Sequence, residues 1–263
     1  MDFEKLQNLK HTLGGQNYIE YIYHRFFDNP LAVFDPKSNA TWQYPECWLA
    51  RYHCYYELHK HILNNAKILD LGANLNHYSA WALLNGARHI DCVEPDTTRF
   101  NLGQEYLQLR DLDKKSTTSN LSIDQYISQY QGEKYDIVFL LDVLYYLTNA
   151  VNIVEFIAKT IKPKFLFLES TVVDDYDIKG HFEVWHPSTN SRRFQSYSST
   201  PGQTDRMAMT PSRNALNALI AAANWEIVFY YDYHDFIGHG ESPPRKQGKK
   251  NFYVLKNLNL DIT

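Results

Sequence analysis

Residues 70–79 read DLGANLNHYS and follow directly on AKIL, residues 66–69. A short apolar strand that enters a glycine turn and then a helix is a common cradle for a nucleotide-like ligand. Here the turn holds one glycine, Gly72, where such loops hold two or three. What the turn needs is backbone freedom at positive φ, and asparagine tolerates that region better than other non-glycine residues. Asn74 therefore takes the place of a second glycine. Asn76 either caps the helix that follows from Leu75 or narrows the ligand slot.

The pattern downstream sets the fold class. Strands are expected over Lys67–Leu71 and His89–Val93, with helices over Leu75–Leu84 and Thr97–Leu109. A weak strand near Lys115–Ser119 and a helix near Ile123–Tyr130 follow, then the buried strand YDIVFLL from Tyr135 to Leu141. A helix over Ile153–Ile161, ended by Pro163, leads to the strand FLFLE, Phe165–Glu169. This βαβα alternation with short connections predicts an α/β, doubly wound, mostly parallel sheet covered on both faces.

Around that core the chain changes character. Residues 1–64 read as a helical cap, with Tyr18, Ile19, Ile22, Tyr23 and Phe26 at helical spacing and a second helical stretch from about Pro45 to Leu63. Between Ser170 and Thr210 the alternation stops, and a lid insertion is expected over 171–210. A helix over Pro211–Ala223 with Thr210 as N-cap is expected next. Strands at Trp225–Tyr231 and Asn251–Lys256 close the domain, leaving 257–263 as a tail. The expected organisation is a cap, a Rossmann-like domain over 65–256, and that tail.

Composition removes several function classes. With 26 basic and 30 acidic residues, global charge demands neither nucleic acid nor an anionic membrane. Cys47, Cys54 and Cys92 show no CxxC spacing, and the first ten residues lack the apolar stretch of a secretory signal, so a cytoplasmic protein is expected. No apolar run approaches the roughly 20 residues of a membrane-spanning helix. The 20 Tyr, 14 Phe and 5 Trp suit core packing and stacking on a flat ligand alike.

Two nucleotide families compete for the glycine turn. A dinucleotide fingerprint GxGxxG would place glycine at Gly72, Asn74 and His77, and two of the three positions fail. Glu94 stands at the end of the second strand, where a carboxylate accepts hydrogen bonds from both ribose hydroxyls in either family. Asp70-Leu71-Gly72 resembles the first motif of class I S-adenosylmethionine-dependent methyltransferases, and YDIVFLLDVLYYLTNA resembles their fourth-strand motif. The resemblance covers about residues 65 to 256, including the returning last strand of a seven-stranded sheet. It implies S-adenosyl-L-methionine as cofactor, with Asp70 near its methionine part. The cofactor residues it implies are Arg51, Asp70, Gly72, Asn74, Glu94, Pro95, Asn120, Asp142 and Val143. In this set Arg51 pairs with the methionine carboxylate, and Ser119 or Asn120 lies in the adenine zone.

TWQYPECWLARY, LES and RMAMTPSRNALNALIAAANWEIV look like segments of the tRNA wobble-uridine carboxymethyltransferase group and its small-molecule relatives. That group relies on a strongly basic surface, which this chain lacks apart from Arg245, Lys246, Lys249 and Lys250. A small-molecule O- or N-methyl acceptor is therefore the first expectation. A tRNA-modifying enzyme and a non-catalytic Rossmann-like binding protein stand as alternatives. For a hydroxyl acceptor a base near neutral pKa helps, and His181 and His186 are the candidates, with Tyr145 and Trp185 as pocket walls. His181 and His186 with His234 and His239, joined by Asp235 or Glu241, form a competing metal reading. The favoured reading has no metal.

Overall fold

The computed structural model describes residues 53–173, 180–185, 208–232 and 249–261. The helical readings before His53, together with Arg51, His186, His234, His239, Asp235, Glu241, Arg245 and Lys246, lie outside the described residues. What is described of the cap is a π turn, His53–Glu57, and a short helix α1, Lys60–Leu63.

The central sheet begins with β1 (Lys67–Leu71), α2 (His77–Leu84), β2 (His89–Val93), α3 (Thr97–Leu109) and β3 (Ser116–Ser119). It continues with α4 (Ile123–Ser128), β4 (Ile137–Leu141), α5 (Ala150–Phe156) and β5 (Phe165–Val172). α5 passes into a π turn, Ile157–Ile161, which stops at Lys162 with φ 52°, one residue before Pro163. After a separate ribbon come α6 (Arg213–Ala222), β8 (Trp225–Asp232) and β9 (Lys249–Asn257). Lys249 and Lys250, which precede the expected strand Asn251–Lys256, belong to β9 and pair with Val172 and Thr171. Asn257 likewise ends β9 instead of starting the tail, and its Nδ2 donates to the Ala158 carbonyl at 3.0 Å.

The sheet order is β3-β2-β1-β4-β5-β9-β8. β1 to β5 pair in parallel, and β9 runs antiparallel between β5 and β8. The chain winds outward from β1 to β3 and returns on the other side of β1 with β4. The direction reverses between β1 and β4, so the carboxyl ends of these two strands frame the crevice where such sheets bind ligands.

Each strand feeds two cores by its period of two. Ile68, Ile90, Phe139, Phe167 and Phe252 point to one face, with Tyr55, Tyr56, Trp81 and Tyr106 packed over them. Leu69, Val93, Val138, Leu140, Leu168 and Tyr253 point to the other, against Ile153, Val154, Ile157 and Leu216. Every residue of β4 is buried, as expected of a strand covered on both sides. Much of the aromatic content is thereby spent on packing.

The expected lid opens and closes on regular structure. β6 (Phe182–Trp185) pairs antiparallel with β7 (Ala208–Pro211). The ribbon is anchored where it meets α6. Ser212 N donates to the His181 carbonyl at 2.8 Å, and His181 N donates to Ser212 Oγ at 3.1 Å. Pro211 therefore ends a strand, and Ser212, not Thr210, caps the helix through the Ala215 amide. With no N–H to give, Pro211 fits a strand's last position on an edge.

Candidate active site

At the carboxyl ends of β1 and β2 the chain brings together the turn residues and Glu94. Gly72 has φ +86°, and Asn74 and Asn76 adopt left-handed φ values of 53° and 58°. Two left-handed asparagines keep the turn open longer than expected, so α2 starts at His77 and not at Leu75. Gly72 also meets the turn after β4. A Cβ built on it would lie 2.6 Å from Val143 Cγ2. Gly72→Ala combines this clash with an unfavourable φ and is expected to destabilise the protein by about 2 kcal/mol. Denaturant unfolding measures it, and adding Val143→Ala should recover only the share owed to the clash.

Asn76 does not cap α2, since its side chain makes no cap bond. It is 2 % exposed, and its Nδ2 lies where a side chain on Gly103 of α3 would have to go, 2.6 Å from the constructed Cβ. The side chain thus fills the seam between the turn and α3.

Glu94 is the organising group. Its Oε2 accepts from Asn74 N and its Oε1 from Asp96 N, both at 2.9 Å. One carboxylate therefore ties the glycine turn to the start of α3. Burial raises its pKa, and the two backbone amides oppose that shift. Asp96 in turn caps α3 by accepting from Arg99 N. Pro95 is exposed beside it. Asn120 follows β3 and pins this loop: its Nδ2 donates to the carbonyls of Glu94 at 2.8 Å and Pro95 at 3.2 Å, and Thr97 Oγ1 donates to its carbonyl.

Asp70 lies deeper. It is 2 % exposed and accepts from Ser79 Oγ on α2 at 2.5 Å. Burial pushes its carboxyl up to about 7; the Ser79 bond lowers it and the Glu94 charge raises it further. Ser79 carried no signal in the sequence, because its link to Asp70 arises only when α2 packs on the sheet.

On the β4 side, Asp142 has φ 61° and accepts from Tyr145 Oη at 2.8 Å. Tyr145 sits on the 3-10 turn Leu144–Tyr146, against which β7 of the ribbon packs. β7 of the ribbon and the Tyr145 turn therefore meet beside the crevice, and His181 stands at the ribbon's base against Ser212. Trp185 lies on β6. Among the described residues no cluster of His, Cys, Asp and Glu is arranged to hold a metal ion. No described helix is long and apolar enough to cross a membrane.

A groove of about 1120 Å³ opens at the opposite edge of the sheet, lined by His59, Ile62, Arg88, Phe165 and Phe229 among others. It stands at the amino ends of the strands, away from Gly72 and Glu94.

The fold recurs in solved structures. An S-adenosylmethionine-dependent methyltransferase from Mesorhizobium loti superposes with TM-score 0.55 at 8 % identity, over 80 % of this chain and 97 % of that one. The chain has the class I methyltransferase fold. The methyltransferase fold also appears in the 1,6-didemethyltoxoflavin-N1-methyltransferase of Burkholderia thailandensis, solved with bound 1,6-didemethyltoxoflavin and S-adenosylhomocysteine. That structure matches with TM-score 0.50 and 14 % identity over 80 % of this chain and 85 % of that one. The [4+2]-cyclase SpnF matches with TM-score 0.55 and 13 % identity over 92 % and 95 %. No protein-family model matches the chain, and no curated protein matches it in sequence.

Proposed function

We propose that the protein is an S-adenosylmethionine-dependent methyltransferase that methylates oxygen or nitrogen of a small molecule. The observation that carries this reading is Glu94: a carboxylate at the end of β2, beside the switch point, joined through Asn74 N to the glycine turn. Each of its oxygens spends one acceptor direction on a backbone amide and keeps another for a ribose hydroxyl. An acid at Asp70 suits a cationic ligand and would repel a pyrophosphate, which favours the sulfonium cofactor over a dinucleotide.

The residues fit the cofactor as follows. Glu94 would hold the ribose, the backbone of Gly72 and Asn74 would admit close approach, and Asp70 would face the methionine end. Asp142 and Val143 would border the slot, and Pro95 and Asn120 would form the loop beside the adenine. Arg51, outside the described residues, keeps its expected role toward the methionine carboxylate. When bound, the cofactor supplies an electrophilic methyl group. The protein's share is alignment of the acceptor and exclusion of water. His181 or His186 would take the proton of a hydroxyl acceptor, and Tyr145, with Trp185, would wall its pocket.

A small acceptor agrees with the formal net charge of −4 and with a fold-mate named for N1-methylation of a small molecule. SpnF is named a cyclase, so the fold alone does not imply methyl transfer. The test is calorimetry of the purified protein with S-adenosylmethionine, S-adenosylhomocysteine and NAD. It is followed by transfer of a labelled methyl group to panels of small amines and hydroxy compounds and to tRNA. Binding of both adenosyl ligands but not NAD, with label on small acceptors, is the expected result. Absence of adenosyl binding would leave a non-catalytic binding protein, and label on tRNA alone would overturn the small-molecule acceptor.

A further inference from the structure

Three polar groups form a buried relay beneath the glycine turn. Cys92 Sγ on β2 donates to Ser79 Oγ at 3.3 Å, and Ser79 Oγ donates to Asp70 Oδ2 at 2.5 Å. Asp70 and Cys92 are register partners across β1 and β2, and Ser79 comes down on both from α2, fully buried. The other groups that reach Asp70 are few. Among the described residues Glu94, just past β2, is the charge that acts on Asp70, and Phe139, its partner on β4, carries none. Among the described residues Ser79 supplies the one side-chain hydrogen bond to the Asp70 carboxylate.

A carboxylate buried with a single hydroxyl donor is incompletely compensated. A cation arriving at the turn would complete it, and the cost of ionising Asp70 would fall when the cation binds. We infer that Ser79 is a positioning residue that holds Asp70 for the cationic end of the methyl donor and couples cofactor binding to loss of a proton from Asp70. This rests on the cofactor reading above. Asp70 itself would meet the ligand; Ser79 acts through it.

The sign follows from the resting state. With its carboxyl near pH 7, Asp70 in the free protein is mostly neutral in mild acid. A cationic ligand binds the ionised form better, so affinity should rise with pH through about 7 and then level off. Below that midpoint, binding should release up to one proton. Removing the Ser79 hydroxyl withdraws a hydrogen bond that favours the ionised form, so the midpoint should move upward.

The experiment is titration calorimetry with S-adenosylmethionine on the full chain between about pH 5 and 9, in buffers of different ionisation enthalpy. Wild type, Ser79→Ala and Ser79→Thr are compared. Ser79→Ala is expected to shift the affinity midpoint up by about one to two pH units, and Ser79→Thr to restore it. A uniform loss of affinity with an unmoved midpoint would make Ser79 a packing residue and overturn the inference. So would affinity that does not change with pH and releases no proton, although the cofactor reading would then still stand. No binding at any pH would overturn both.

Discussion

Replacing Glu94 by alanine is expected to weaken S-adenosylmethionine binding on the order of a hundredfold. Two effects combine in that figure. The ribose loses a charged acceptor for its hydroxyls, and hydrogen bonds to a charged group contribute about 1.5 to 3 kcal/mol each. The turn also loses its tie, because Asn74 N and Asp96 N both donate to this carboxylate. Glu94→Gln separates the two effects. The amide keeps the side chain's shape but offers one acceptor, so one backbone amide faces an NH₂ group and the negative charge is gone. The glutamine variant should therefore retain more stability than the alanine variant while still binding poorly. Thermal unfolding of the ligand-free proteins beside calorimetry of the cofactor reads both. Wild-type affinity in Glu94→Ala would exclude Glu94 from the ligand site.

The order of these acids was legible because strand ends were legible. β1 and β2 start and stop where the apolar pattern predicts, and α3 starts right after Asp96, a capping residue visible in VEPDTT. The returning last strand is implied by the family resemblance and not by the strand pattern, and β9 does return, between β5 and β8. What escaped depends on contacts between elements. The start of α2 moved because Asn74 and Asn76 both turn left-handed, a choice made against Val93 and Gly103 and not by helix propensity. Ser212 displaced Thr210 as cap because β7 pairs with β6 through Pro211, a ribbon that no periodicity announced. The resemblance places Asn120 in the adenine zone, but nothing in the sequence shows that its amide holds the loop that carries Glu94. Ser79 sits nine residues from Asp70, a spacing that means nothing until helix and strand are packed. Motif residues at chain reversals can thus be read in one dimension, and the groups that orient them cannot.

Asp70→Asn should stabilise the ligand-free protein in alkaline solution and leave it nearly unchanged in acid. An unfolded aspartate ionises near pH 4, while burial holds the folded carboxyl up at about 7. Between those values the native state binds the extra proton, so stability falls as pH rises through this interval and levels above it. A shift of about three units corresponds to a cost on the order of 4 kcal/mol above pH 7. Asparagine has nearly the same shape, can still accept from Ser79 Oγ, and carries no charge to desolvate. Wild type should therefore lose stability between about pH 4 and 7 in excess of the variant, and the two unfolding curves should diverge most above pH 7. Parallel curves across that range would mean that Asp70 is ionised in the free protein at little cost. The same substitution should weaken S-adenosylmethionine binding, because the charge that destabilises the empty fold is the one offered to the cation. A variant that is more stable and binds less would place the strain of the fold at its ligand site.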